Sequence, residues 1–285
     1  MVSIIVVTKG LDGYLECCLD SVKKQTYSER EIIVIDNSHI NLFYCAALNK
    51  GIKQSKGDFI LCLNDDVTLD KRFIETALEG FTINERIGMV SGKIMRCDGG
   101  VIDSTGLFLT PWRTAKERGY GIKDIGQFKK QEYIFGVNGA VAFYRREMLE
   151  EIKEGNDYFD EDFHIFYEDL DIAWRAQRMG WHAYYIPKAI AYHIRGGTVR
   201  NARGIDKPYA RKYLSEDLCF DLLKNRYLVL IKNESFLDFL LNLPFIFFYD
   251  FLIWSYILLF RPRLIRKFFS NLQYFHSAFR KRSIH

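Results

Sequence analysis

Proline is scarce, five in 285 residues, and no stretch is given over to glycine, serine or glutamine. Collagen-like, proline-rich and low-complexity architectures are thereby excluded. The six cysteines, at 17, 18, 45, 62, 97 and 219, include no C-x-x-C pair, so neither the common zinc patterns nor a disulfide framework applies. Several sit in apolar runs such as Ile60-Leu61-Cys62-Leu63, where free cysteine acts as a small hydrophobe in a reducing compartment. A G-x-x-x-x-G-K-[ST] phosphate loop is missing, and so is any internal repeat. Met1 leads directly into Val2–Val7, too short and too uncharged at its start for an export signal; a cytoplasmic protein is expected. Also missing is a run of about 18–20 apolar residues without polar interruption, as a spanning helix would need.

What remains is a globular composition: 48% apolar, 27% charged, and aromatics at 15% (23 Phe, 17 Tyr, 4 Trp). The length fits one or two domains. The net charge of +4 is unevenly spread. Residues 261–285 hold seven of the 40 Lys+Arg and no acid, leaving 33 against 36 Asp+Glu, a net −3, in the first 260. A slightly acidic body lacks the basic stripe that nucleic acid requires, so no such partner is expected.

The order of elements is that of an α/β sheet. Ser3–Thr8 is a continuous β-branched run of the kind buried on both faces of a parallel sheet, Glu31–Asp36 (EIIVID) reads as a second buried strand, and Phe59–Leu63 as a third strand. Helices are predicted over 14–25, 42–54, 67–80, 145–153, 168–179 and 214–231, with further strands at 89–94, within 133–144, and at 183–186 and 189–193. Residues 97–132 read as a long functional loop. In open sheets of this kind, ligands bind outside the carboxyl ends of the strands. Thr8, Asp36-Asn37 and Asn64-Asp65-Asp66 stand at three such ends.

Carboxylates at a strand end suit a hard divalent cation that in turn holds a diphosphate; alternatively, Asp65 or Asp66 caps the following helix. A second acidic cluster, Phe159–Asp171, interleaves carboxylates with aromatics. Like charges in a semi-apolar setting raise carboxylate pKa values toward the range of a general base. Its plainer reading is an acidic first helical turn, with Asp171 paired to Arg175 four residues on. His193 ends an apolar strand and is followed by a glycine-rich basic loop, Arg195-Gly196-Gly197-Thr198-Val199-Arg200, suited to closing over a diphosphate; a lone histidine is also a common structural residue.

The stretches at 2–8, 33–38, 46–51, 57–67, 138–146, 159–175 and 180–193, in their order and spacing, resemble family-two glycosyltransferases of the GT-A fold, close to a rhamnosyltransferase-like branch. The resemblance spans about residues 2–200. It implies an open mixed sheet flanked by helices, and a metal-dependent, inverting transfer of a hexosyl or deoxyhexosyl group from a nucleotide-diphosphate donor to a glycan or lipid-linked acceptor, in cell-surface polysaccharide or glycolipid synthesis. It places Thr8, Asp36 and Asn37 at the base and ribose, with Asn49, Asn64, Asp65, Gly139, Arg118 and Arg195 around the donor. Asp66 and His193 become ligands of manganese or magnesium, and Asp169, paired with Glu168, the general base. Asn64 stands where the family's D-x-D motif carries its first aspartate. The interval from Asp36 to Asn49 is too short for the strand and helix that relatives place there. A catalytically inactive sugar-nucleotide or membrane-binding module, or a nucleotidyltransferase, are the other readings.

Residues 236–260 are the most apolar part of the chain, interrupted by Asp238, Asn242, Pro244 and Asp250. Beside the cationic flank at 261–282 they read as a helix lying in the interface of an anionic membrane, or as helices packing on the catalytic domain or on a second copy in a homodimer. The expected division is a catalytic domain over 1–213 and a helical, membrane-associating region over 214–285, attached peripherally to the cytoplasmic face of the cell membrane.

Overall fold

The computed structural model describes residues 1–10, 13–38, 42–97, 99–194 and 214–282. Strand β1 (Val2–Thr8) is buried along its whole length, as its unbroken apolar run requires, and α1 (Tyr14–Lys23) follows. Next come β2 (Arg30–Asp36), α2 (Tyr44–Gln54) and β3 (Phe59–Asn64). β1 pairs in parallel with β2 on one side and β3 on the other, in a register that sets Thr8 beside Asp36 and Val7 beside Asn64. Three polar strand ends thus share one edge. Helix α2 lies close on this sheet because residue 51 is glycine: a Cβ there would stand 2.4 Å from a methyl of Ile5. Among the described residues no strand stands between β2 and α2, in keeping with the short connection.

One predicted helix is corrected. Val67–Leu69 is a strand, β4, and α3 begins only at Phe73 and ends at Phe81. Val67 and Leu69 are buried while Thr68 is half-buried, a period of two that fits a strand and not a helical turn. Asp65 and Asp66 therefore cap no helix. The long central strand β5 (Ile87–Arg96) is followed by three short ones, β6 (Ile102–Ser104), β7 (Leu107–Leu109) and β8 (Ala115–Glu117), so the supposed loop at 97–132 is largely hairpins. Their runs of three residues are too short to show periodicity in the sequence.

After β9 (Glu132–Ile134), β10 (Val141–Arg145) and α4 (Arg146–Ile152) comes α5 (Glu168–Arg178). β11 (His182–His193) is a single strand with an irregularity between Ile186 and Ile190. The sheet runs β2-β1-β3-β10-β5-β11-β4, with β6 on β5 and β9 on β11. β10 is antiparallel to both neighbours and β4 is antiparallel to β11, giving the mixed sheet the resemblance implied. Helix-covered apolar clusters fill both faces.

The C-terminal part is helical: α6 (Glu216–Asn233), α7 (Phe236–Phe260), α8 (Arg263–Phe269) and α9 (Gln273–Arg282). Leu228 and Val229 of α6 and Ala278 of α9 are buried in the same cluster as Ile5 and Trp181. The polar interruptions of α7 do not break it. Asn242 donates to the carbonyl of Asp238 (2.8 Å), Asp250 accepts from Arg226, and Pro244 lies inside the continuous helix. The expectation of no segment long enough to span is thus revised: this 25-residue helix has a mean hydropathy of 1.8 over its most apolar window, long and apolar enough by composition to cross a bilayer. Ile253, Trp254 and Ile257 pack on α6 and α8, while apolar side chains project from the rest of the helix, Leu237, Leu241 and Phe247 each at least 70% exposed.

Candidate active site

The crevice at the strand ends is built in two halves. In the first, β4 pairs with the end of β11 so that His193 lies beside Val67, and the amide of Ile194 donates to the carbonyl of Asp66 (3.1 Å). This register brings His193 Nε2 to 3.3 Å from Asp66 Oδ1. The other ring nitrogen, Nδ1, lies 2.9 Å from Oδ2 of Asp103, a fully buried carboxylate on β6. Burial disfavours charge on the imidazole, but hydrogen bonds to Asp103 and Asp66 outweigh it and raise its pKa. Asp65 points toward β1, where the Thr8 hydroxyl and the Lys9 amide donate to it; burial nonetheless pushes its pKa up, and the charge of Asp66 adds to this.

The second half surrounds Gly139. Its amide stands 3.3 Å from Asp169 Oδ2, and a Cβ at this position would come within 3.2 Å of Glu168 Oε1. Glycine leaves this approach uncrowded, since a Cβ would require the Glu168 carboxyl to shift. Glu168 is buried, and among the described residues its Oε2 has no hydrogen-bond partner. Burial, reinforced by the neighbouring charge of Asp169, lifts its pKa to about 8, well above the usual carboxylate range. Tyr44, the first residue of α2, joins the two halves: its hydroxyl lies 2.8 Å from Asn64 Oδ1 and 3.3 Å from the carbonyl of Gly139. Asn64 is thus oriented by a phenol.

The remaining predicted residues are placed variously. Asp36 accepts from the Ser38 amide (2.8 Å), and the Asn37 side chain bonds both backbone groups of Leu42. Asn49 is turned away from the crevice. It accepts from the amides of Tyr158 and Phe159 and donates to the Phe159 carbonyl and to Glu161, fastening the acidic segment to α2. Arg118 is taken up by Thr105 (2.9 Å) and Glu132 (2.7 Å) and lies over the rings of Phe128 and Tyr185, which organises the hairpins. Asp171 does pair with Arg175, at 2.9 Å, both buried. Arg195 and the loop after it lie outside the described residues.

Sequence reasoning missed Tyr44 and Asp103. Neither carried a readable sign: Asp103 lies in a run of three residues, too short to show strand periodicity or to announce its burial.

A divalent cation fits this crevice on the chemistry of its donors. A buried carboxylate oxygen faces an imidazole nitrogen whose partner nitrogen is fixed by a second carboxylate, the arrangement that orients and strengthens a metal-binding histidine. Among the described residues no three His, Cys, Asp or Glu side chains converge on one point, so ligand oxygens would have to complete the shell.

The family "Glycosyltransferase like family 2" matches residues 1–213. Among curated proteins, the poly-beta-1,6-N-acetyl-D-glucosamine synthase of Staphylococcus epidermidis is 23% identical over 203 residues, 62% of this chain and 45% of that protein. Its counterpart in Staphylococcus aureus (strain COL) is 23% identical over 207 residues, covering 63% and 46%. The chain therefore spans less than half the length of these relatives. Two solved structures share the fold. GalNAc-T7, with UDP, GalNAc and Mn2+, gives a TM-score of 0.58 at 13% identity over 81% of this chain and 48% of that one. Staphylococcus aureus TarS gives 0.50 at 15% identity over 82% and 40%.

Proposed function

The chain belongs to glycosyltransferase family 2, and from that premise we propose that it transfers a hexosyl or deoxyhexosyl group from a nucleotide-diphosphate donor to a glycan or lipid-linked acceptor, with inversion, in surface-polysaccharide synthesis. The observation that carries the reading is the pairing beside Gly139 of a buried carboxyl whose pKa is raised, Glu168, with a partly buried neighbour, Asp169, 3.3 Å from the Gly139 amide.

Asp169 is the base. It takes the proton of the acceptor hydroxyl as that oxygen attacks the anomeric carbon, and a single displacement inverts the centre. Protonated Glu168 lowers the negative charge beside the incoming hydroxyl and can donate a hydrogen bond. Gly139 leaves room for the sugar against the backbone. Thr8, Asp36 and Asn37 line the strand ends where the nucleoside binds. Asp66 and His193 would hold manganese or magnesium, which when bound would supply charge stabilisation for a departing diphosphate. The charge missing at Asn64 favours a weaker ion site, and is the one feature in favour of an inactive binding module.

The apolar α7 and its cationic flank support attachment to an anionic membrane, where a lipid-linked acceptor would meet the crevice. A thermal-shift screen of nucleotide sugars with Mn2+ tests donor binding, because a ligand of the native state alone raises its apparent stability. Turnover then separates the readings. Release of a nucleoside diphosphate is expected. Release of pyrophosphate would make the chain a nucleotidyltransferase, and binding without turnover an inactive module.

A further inference from the structure

The segment that delivers the base is strained. His164, Phe166 and Tyr167 have φ of 61°, 71° and 69°, the left-handed region that residues other than glycine adopt at a cost of about 1–3 kcal/mol each. Tyr167 is the N-cap of α5, so Glu168 and Asp169 follow the strained turn directly. Such a backbone persists only where its surroundings over-determine it.

The surroundings come from the far end of the chain. The side-chain amide nitrogen of Asn225, fully buried on α6, lies within hydrogen-bond distance of the carbonyls of Phe163 (2.7 Å), Ile165 (2.8 Å) and Phe166 (2.8 Å), which share its two N–H groups. Lys224 donates to the carbonyl of Asp162 (2.6 Å), and the ring of His164 is held at Nδ1 by Asp221 (3.1 Å) and at Nε2 by the Tyr274 hydroxyl (3.3 Å). All four clamping residues lie beyond residue 213, where the family match stops.

We propose that Asn225 is a positioning residue for the transfer reaction: by gathering three carbonyls it fixes the left-handed turn that aims Asp169 at the acceptor. The proposal rests on Asp169 being the base. It makes α6 part of the working site, and since α6 leads through Asn233-Glu234-Ser235 into α7, the helix that bears the apolar surface continues from the one that sets the base.

The test uses the full chain in anionic vesicles and compares wild type with Asn225→Ala. Without any ligand, hydrogen exchange at the Asp171 amide, which donates to the Tyr167 carbonyl at 2.8 Å, is expected to accelerate about tenfold or more relative to the C-terminal turn of α5. Turnover is followed with whichever of UDP-glucose, UDP-N-acetylglucosamine, GDP-mannose and dTDP-rhamnose the wild type cleaves in Mn2+. The kcat is expected to fall about tenfold to a hundredfold while the donor KM stays within about threefold, because a small misplacement of a reacting group costs rate and not donor affinity. Wild-type exchange and wild-type kcat would overturn the proposal. Should Asn225→Ala fail to fold, Asn225→Gln, which shifts the donors by one methylene, is judged by the same two readouts and the same outcomes. Full activity in Asp169→Asn would instead remove the base assignment, whatever Asn225 does.

Discussion

Glu168 and Asp169 adjoin in sequence, yet burial divides their chemistry. With its pKa lifted to about 8 by burial and then by Asp169, Glu168 is the poorer candidate for the proposed base. Asp169→Asn should lower kcat by about 10²–10⁴, and Glu168→Gln, which mimics the protonated form, by far less; steady-state kinetics of the two variants at pH 7 checks this order. The same shift has a signature in stability. A carboxyl whose folded pKa lies above its usual value binds more protons folded than unfolded, so stability falls as pH rises from about 4.5 to about 8. Glu168→Gln removes that slope. Its melting temperature should therefore gain on wild type steadily between pH 5 and pH 8; a constant difference would refute the burial argument. Residue types at strand ends made most of this crevice legible in the sequence. Tyr44 was not legible, because its role depends on α2 starting one residue after Phe43 and setting the hydroxyl against Asn64.

At the scale of elements, the sequence pattern served long strands well and short ones poorly. β1, β2 and β3 were readable as strands from apolar runs, although β2 lies at the sheet edge with Ile32 and Val34 exposed and is not buried on both faces as expected, whereas the three residues of β4 carry too little periodicity to distinguish a strand from the start of a helix. Helix α6 was readable as a helix but not as a neighbour of α5. Its buried polar residues have partners only in the folded chain: Lys232 meets Asp160 (2.7 Å), Glu154 (3.0 Å) and Asp171 (3.1 Å), and Asn233 donates to Asp171 (2.8 Å). Lys281 of α9 also reaches Asp160 and Asp162. Asp160, despite its burial, is held well below the usual carboxylate range by Lys232 and Lys281. Removing one member of a buried ionic network leaves charge uncompensated, so Lys232→Met should destabilise by about 3–5 kcal/mol, measured by chemical denaturation. A change within about 0.5 kcal/mol, the size typical of surface substitutions, would mean that α6 is not docked as described.

For the whole molecule, the charge asymmetry and the apolar α7 belong together. The acidic body carries the crevice, the basic tail lies beside the apolar helix, and α9 returns to the body through Ala278 and Lys281. Removing residues 236–285 would therefore damage the site along with any membrane contact. Leu241→Asp with Phe247→Asp is the cleaner change, because both side chains are exposed and a charge on a membrane-facing side chain is costly. That double variant should no longer sediment with anionic liposomes while keeping its melting temperature in detergent; unchanged sedimentation would detach α7 from the membrane account. The account as a whole turns on the base. The most direct measurement follows nucleoside diphosphate released from a nucleotide-sugar panel with Mn2+ by vesicle-bound wild type and by Asp169→Asn. Steady release by the wild type, lowered about a hundredfold or more in the variant, is the predicted result; equal release by the two proteins would contradict it.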